Sequence, residues 1–177
     1  LKLSVITACL FTLFSPVAIN ACDADPSGSF ASLSSFVSGK WTGAGKFASG
    51  KDIAADVSFD PVPGGHWLTY THADHPPGTY RAQATWGYVD PTHFVMTLHD
   101  SSGGARVFSS QGWCDGRVVF EKQSDLAQPR HEPQGTERER FTFERIDGGR
   151  LKMTYERGKE AGDWRMVDSL VFDHAKL

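Results

Sequence analysis

Hydrophobic and polar positions alternate over much of the chain. Ile53, Ala55, Val57 and Phe59 share one face, with Asp52, Asp56 and Ser58 opposite. Tyr80, Ala82, Ala84, Trp86 and Tyr88 form a second row against Arg81, Gln83 and Thr85, and Phe94, Met96 and Leu98 form a third. Shorter apolar pieces follow at Val118–Phe120, at Phe141 with Phe143, at Leu151, Met153 and Tyr155, and from Trp164 and Met166 through Phe172. A period of two marks strands with one buried face. With Trp41–Phe47, His66–Ala73 and Arg106–Cys114 added, the pattern predicts about ten strands. Turn signals such as Ser49-Gly50, Pro61-Val62-Pro63-Gly64-Gly65, Pro76-Pro77-Gly78, Ser102-Gly103-Gly104 and Asp147-Gly148-Gly149 recur roughly every ten residues, the spacing of successive antiparallel strands. Only Ser29–Ser38 reads as a helix: Phe30, Leu33, Phe36 and Val37 lie close to helical spacing, and Gly39 ends it. The expectation is an all-β chain, an up-and-down antiparallel barrel of about ten strands with one short N-terminal helix. Residues 29–177 form its single domain, and Gln123–Gly135, with Pro129 and Pro133, is its one long irregular stretch.

The first residues do not belong to that pattern. Lys2 precedes an apolar run from Leu3 to Phe14, and Ser15-Pro16-Val17-Ala18-Ile19-Asn20-Ala21-Cys22 follows. This predicts an export signal over 1–21 and a linker over 22–28. The run is short for a membrane span, which takes about 20 apolar residues. Ile19-Asn20-Ala21-Cys22 resembles a bacterial lipobox, in which Cys22 would be lipidated and hold the protein on a membrane. The alternative is a soluble periplasmic or secreted protein with Cys22 paired to Cys114.

Composition changes the picture mainly by exclusion. The chain has 177 residues, 40% hydrophobic and 22% charged, and a formal net charge of −3. Disorder, collagen and coiled coil do not have this profile. Nucleic acid is not expected as a partner, because a phosphate backbone needs a basic face.

Gly39-Lys40-Trp41-Thr42-Gly43-Ala44-Gly45 has the form G-x-W-x-G-x-G, after a short helix and at the start of the first strand. This arrangement resembles the calycin superfamily of lipocalin-like barrels, and its longer form is similar to the nitrobindins and nearby bacterial families. The likeness extends to Gly64-Gly65, Gly87-Tyr88-Val89-Asp90 and Trp164. It implies a barrel in which the glycines admit close strand approach and Trp41 plugs one end. Nitrobindins bind haem through a histidine within a D-H-L-like stretch of the final strand. The counterpart here resembles Asp168-Ser169-Leu170, with serine at the ligand's place, and His174 is displaced from the motif. The resemblance therefore implies the barrel and no haem cofactor.

Several constellations carry possible chemistry. His66 and His72-Ala73-Asp74-His75 are the densest group of metal-ligand types, with His72 and Asp74 on one face and His75 on the other; a polar hairpin tip is the plainer reading, and no metal site is assigned. His93, Val95, Thr97 and His99 oppose the Phe94–Met96–Leu98 row, which puts His99 outside unless that face turns inward toward Tyr70 or Arg140. Glu137-Arg138-Glu139-Arg140 predicts cross-strand ion pairs, or an inward Arg140 able to hold a carboxylate. There is no G-x-S-x-G, phosphate loop or H-E-x-x-H, and no catalytic residue is assigned.

Small residues (Ala55, Ala82, Ala84, Gly43, Gly45) beside large aromatics predict a partly open interior rather than a filled one. The function expected is binding of a small apolar or amphipathic molecule without catalysis. Trp41, Phe59, Tyr70, Trp86, Tyr88, Phe94 and Met153 would form the wall, with His99 and Arg140 as polar contacts. The alternative is an enzyme on a similar barrel that uses His99 or His72 with a carboxylate, a metal or haem. Convergent His and Asp side chains inside the barrel would favour it.

Overall fold

A computed structural model describes residues 29–90, 93–127, 137–160 and 162–175. The expected export signal over 1–21, the linker over 22–28 and the lipidation position Cys22 lie outside the described residues.

Residues Phe30–Val37 form helix α1. Ser29 caps it, its hydroxyl accepting from the Ser32 N–H at 3.2 Å. Phe30, Leu33 and Val37 are buried, as helical spacing predicts. The strands are β1 Gly39–Phe47, β2 Asp52–Pro61, β3 Trp67–Asp74, β4 Arg81–Asp90, β5 His93–Asp100, β6 Ala105–Ser110, β7 Trp113–Cys114, β8 Arg117–Ala127, β9 Arg138–Ile146, β10 Arg150–Gly158 and β11 Arg165–His174. All pairs are antiparallel, each of the long strands lies beside its neighbour in sequence, β1 pairs with β11, and β6 pairs with β8 to complete a closed ring of ten strands. The two-residue β7 sits at the rim on β8.

Two expectations shift. Arg106–Cys114 is not one strand: Gly112, at φ 102°, turns the chain between β6 and β7. Val118–Phe120 is only the buried beginning of β8, which runs on to Ala127 through polar residues because β6 supplies its ladder partners there.

The glycine-rich opening does what its pattern predicts. A Cβ on Gly45 would stand 1.8 Å from the Ser169 carbonyl oxygen, and one on Gly43 would meet the Phe172 ring at 2.4 Å. Only glycine lets β1 and β11 close the barrel this tightly. Trp41, 1% exposed, donates from Nε1 to the Val37 carbonyl at 2.6 Å. It packs edge-on to Phe36, which stacks on Trp113. Phe30 meets Tyr88 and Phe94 at 5.4 and 5.3 Å between ring centroids. Helix α1 thus covers one end of the barrel.

Below the helix the interior is solid. Trp86 lies 5.0 Å from Phe59, 4.9 Å from Phe120 and 4.7 Å from Phe143, ring centre to ring centre. These rings fill the middle of the barrel, and Tyr70 covers the cluster from the side away from α1, 5.0 Å from Phe59 and 5.7 Å from Trp86.

Candidate functional site

A cavity of about 260 Å³ opens beyond Tyr70, at the end of the barrel opposite α1. Its apolar wall comes from Phe47, Ile53, Leu98, Phe141 and Met153. Its polar wall arises from a simple regularity: the inward rows of several strands end in charged residues at this same end. Leu98 is followed on its face by Asp100, Phe108 is preceded by Arg106, Phe141 by Glu139 and Leu170 by Asp168. The interior is therefore neither empty throughout nor filled throughout.

Strand β3 supplies one polar chain. Tyr70, His72 and Asp74 point inward and are 3%, 5% and 6% exposed. The Tyr70 hydroxyl bonds His72 Nδ1 at 3.0 Å, and His72 Nε2 bonds Asp74 Oδ1 at 2.9 Å. Tyr80 packs edge-on against the imidazole at 5.5 Å. With Nε2–H donated to Asp74, Nδ1 accepts the phenol proton, so both ring nitrogens are occupied. Burial pushes the Tyr70 phenol well above its ordinary range.

Arg106 organises a second network. It donates from Nη1 to Glu139 Oε2 at 2.6 Å and from Nη2 to Asp100. Lys122 donates to the other Glu139 oxygen at 2.9 Å, and the Tyr155 hydroxyl donates to Oε2 at 2.8 Å. Arg157 Nε in turn donates to Tyr155 at 2.7 Å. Burial opposes ionisation of Glu139, but Arg106, Lys122 and Tyr155 overcome it and hold the carboxyl below its ordinary value.

Asp168, at the start of β11, faces the same cavity. Its Oδ1 is buried and has no hydrogen-bond partner. Burial lifts this carboxyl from 3.8 to about 6; His72 works against the rise and Asp74 adds to it.

Of the wall predicted from sequence, Tyr70 and Met153 line the cavity. Trp41, Phe59, Trp86 and Phe94 do not: they are consumed in the helix-covered end and the aromatic cluster, all at 0 or 1% exposure. Tyr88 is half-buried beside Phe30, far along the barrel from the opening. His99 is exposed on the outer face of β5, because the apolar row of that strand takes the core side. Arg140 also lies outside, paired with Glu156 at 2.6 Å and stacked over Trp164 at 4.3 Å; the inward residue of its strand is Glu139. The polar hairpin tip read at residues 72–75 is overturned for His72 and Asp74, which are buried, while His75 faces out toward Asp56 at 3.0 Å. His66 is on the surface, bonded to the Tyr88 hydroxyl. The sequence assigns no ligand contact to Arg106, Asp100, Glu139, Tyr155 or Asp168: Glu139 is expected in cross-strand ion pairs, Tyr155 in the apolar row of Leu151 and Met153, and Asp168 only beside the serine at the haem ligand's place, yet the period-two signal reaches the four charged residues when each row is continued by one step.

The residues present do not fit a haem. Ser169 points away from the cavity, its hydroxyl bonded to Thr154 and to the Met153 carbonyl. His174 stacks on Trp41 at the α1 end. His72 lines the cavity with both nitrogens engaged. Among the described residues no group of three or more His, Cys, Asp or Glu side chains is placed to hold a metal ion.

The geometry defines a closed antiparallel β-barrel with one end covered by a helix and a polar cavity at the other. No protein-family model matches the chain, and a comparison with curated proteins finds no match. Among solved structures the chain is similar to the crystal structure of Rv2717c from M. tuberculosis, with a TM-score of 0.62 and 17% identity over 83% of this chain and 98% of that one. At that identity the likeness is one of fold.

Proposed function

We propose that the protein is an exported, noncatalytic barrel of the lipocalin-like class that binds one small amphipathic molecule in the cavity beyond Tyr70. The observation that carries this reading is the make-up of the cavity wall, in which Phe47, Ile53, Leu98, Phe141 and Met153 stand among a few fixed polar groups. Such a mixture is the ordinary composition of a small-molecule site. An engineered cavity of about 150 Å³ already takes benzene, so this volume suits a molecule of one ring and a short polar arm. The G-x-W-x-G-x-G opening supports kinship with the nitrobindin-like barrels. Export draws support from the apolar N-terminal run and from Cys114, which is disulfide-bonded, as expected in an oxidising compartment. Outside the expected signal Cys22 is the one other cysteine of the sequence, and a sulfur in a disulfide cannot also carry a lipid, so the disulfide at Cys114 favours the soluble periplasmic or secreted alternative over lipidation of Cys22.

A second reading, an enzyme on the same barrel, takes its support from the convergence of His72 and Asp74 inside. Against it, neither ring nitrogen of His72 is available to take a proton from a substrate. Native mass spectrometry of the protein from its own source tests the binding reading: a retained small molecule is expected. Absence of any adduct, together with no heat on titration with small aromatic alcohols, amines and acids, would refute it.

A further inference from the structure

Charge in the cavity is unevenly matched. Arg106 stands between Asp100 and Glu139, and Lys122 contacts Glu139 as well, so these two cations and two carboxylates neutralise one another. Arg157 is turned to Tyr155 and, at 3.9 Å, to Glu137. That leaves Asp74 and Asp168 with His72 alone between them. Even a fully protonated imidazole would offset one of the two. Asp74 has its hydrogen bond from that ring; the buried Oδ1 of Asp168 has none. A buried carboxylate oxygen without a donor is costly, and native interiors keep such an atom where a bound group completes it.

We propose that the cavity selects an organic cation, a primary amine on a small apolar body, whose ammonium group donates to Asp168 while its body lies against Leu98, Phe141 and Met153. This rests on the reading of the cavity as a ligand site and adds the charge of the ligand. Three features agree. The free acceptor is a carboxylate, which binds an ammonium donor about twice as strongly as a neutral one. The Nη1 and Nη2 of Arg106 are committed to carboxylates and Arg157 to Tyr155 and Glu137; the buried Nε of Arg106 has no partner, but the charge of that guanidinium is already matched by Asp100 and Glu139, whereas the charge of Asp168 is not. The same cavity offers Leu98, Phe141 and Met153 as an apolar surface for the body of the ligand.

Isothermal titration with phenethylammonium, 2-phenylethanol and phenylacetate, near neutral pH, separates the possibilities, because the three differ in charge and little in shape. Phenethylammonium should bind about tenfold or more tightly than the alcohol, and phenylacetate weakest. In the Asp168→Asn variant the preference for the ammonium should collapse, while affinity for the alcohol stays within about threefold; retained binding of the alcohol shows that the variant is folded and its cavity intact. Equal affinity for alcohol and ammonium, tightest binding of phenylacetate, or a preference that survives Asp168→Asn would overturn the proposal and leave the cavity as a ligand site. No binding of any of the three would overturn both.

Discussion

The position of Asp168 makes a prediction about stability that needs no ligand. Burial holds this carboxyl at about 6, whereas its ordinary value is 3.8. The gap corresponds to about 3 kcal/mol disfavouring the ionised form in the fold. Asp168 is half-buried rather than sealed, so solvent screens part of this, and about 1–3 kcal/mol is the reasonable range. The sign is opposite to that of a salt-bridged carboxylate. Below about pH 3 the group is protonated in both folded and unfolded chains and costs nothing; as pH rises toward about 6 the unfolded chain releases its proton first, and stability falls. The Asp168→Asn variant lacks this penalty. Its stability relative to the parent should therefore rise by about 1–3 kcal/mol between about pH 3 and about pH 7.5. Urea unfolding of both proteins, followed by tryptophan fluorescence at several pH values, reads the difference, and every other titrating group cancels to first order. A difference that is flat with pH, or that grows in favour of the parent at high pH, would show that Asp168 is paired or solvated and that the electrostatics of the cavity are wrong.

Two further substitutions probe the ends of the barrel. Trp41→Ala should lower stability by about 3–5 kcal/mol in denaturant melts, since it empties a buried aromatic site and strands the Val37 carbonyl; a loss below about 1 kcal/mol would mean that α1 does not close the barrel. Glu139→Gln leaves Arg106 and Lys122 short of a negative charge and should cost about 3 kcal/mol near neutral pH. Because the Glu139 carboxyl is held below its ordinary value, this loss is fully present above about pH 4.5 and shrinks as pH falls through the folded value; the same melts at a series of pH values descending from about 4.5 check the direction.

How much of this was legible in the sequence depends on which residues are asked. The barrel, the helix and the role of Trp41 with Gly43 and Gly45 follow from alternation and from the glycine spacing, because sterics act between neighbours whose register those patterns specify. The cavity was expected, but its wall was assigned to the largest aromatics. Phe59 and Trp86 are instead spent on packing each other, which is what large rings on facing strands do when nothing separates them. The charged lining was missed for a different reason. Asp100, Arg106, Glu139 and Asp168 each sit where an apolar row stops, and a stopped row reads as a strand end turning to solvent. Only the topology reveals that four such ends meet across the same opening, where Arg106 pairs with Asp100 and Glu139 and the Oδ1 of Asp168 keeps no donor. Arg140 and His99 show the converse: residues with attractive chemistry, placed by parity on the outer wall.

Tyr70 belongs to both halves of the barrel, its ring laid on Phe59 and Trp86 and its hydroxyl turned to His72 and toward Met153. It is consequently a stop as well as a wall. A molecule entering from the open end meets, at the depth of one side chain, a platform that rests on interlocked rings and cannot yield without unpacking them. If the cavity holds a ligand as proposed, its depth sets the length of the guest: a long acyl chain, which needs the whole axis of the barrel, would not fit however apolar it is, and selection among short molecules would fall to the few polar atoms of the cavity.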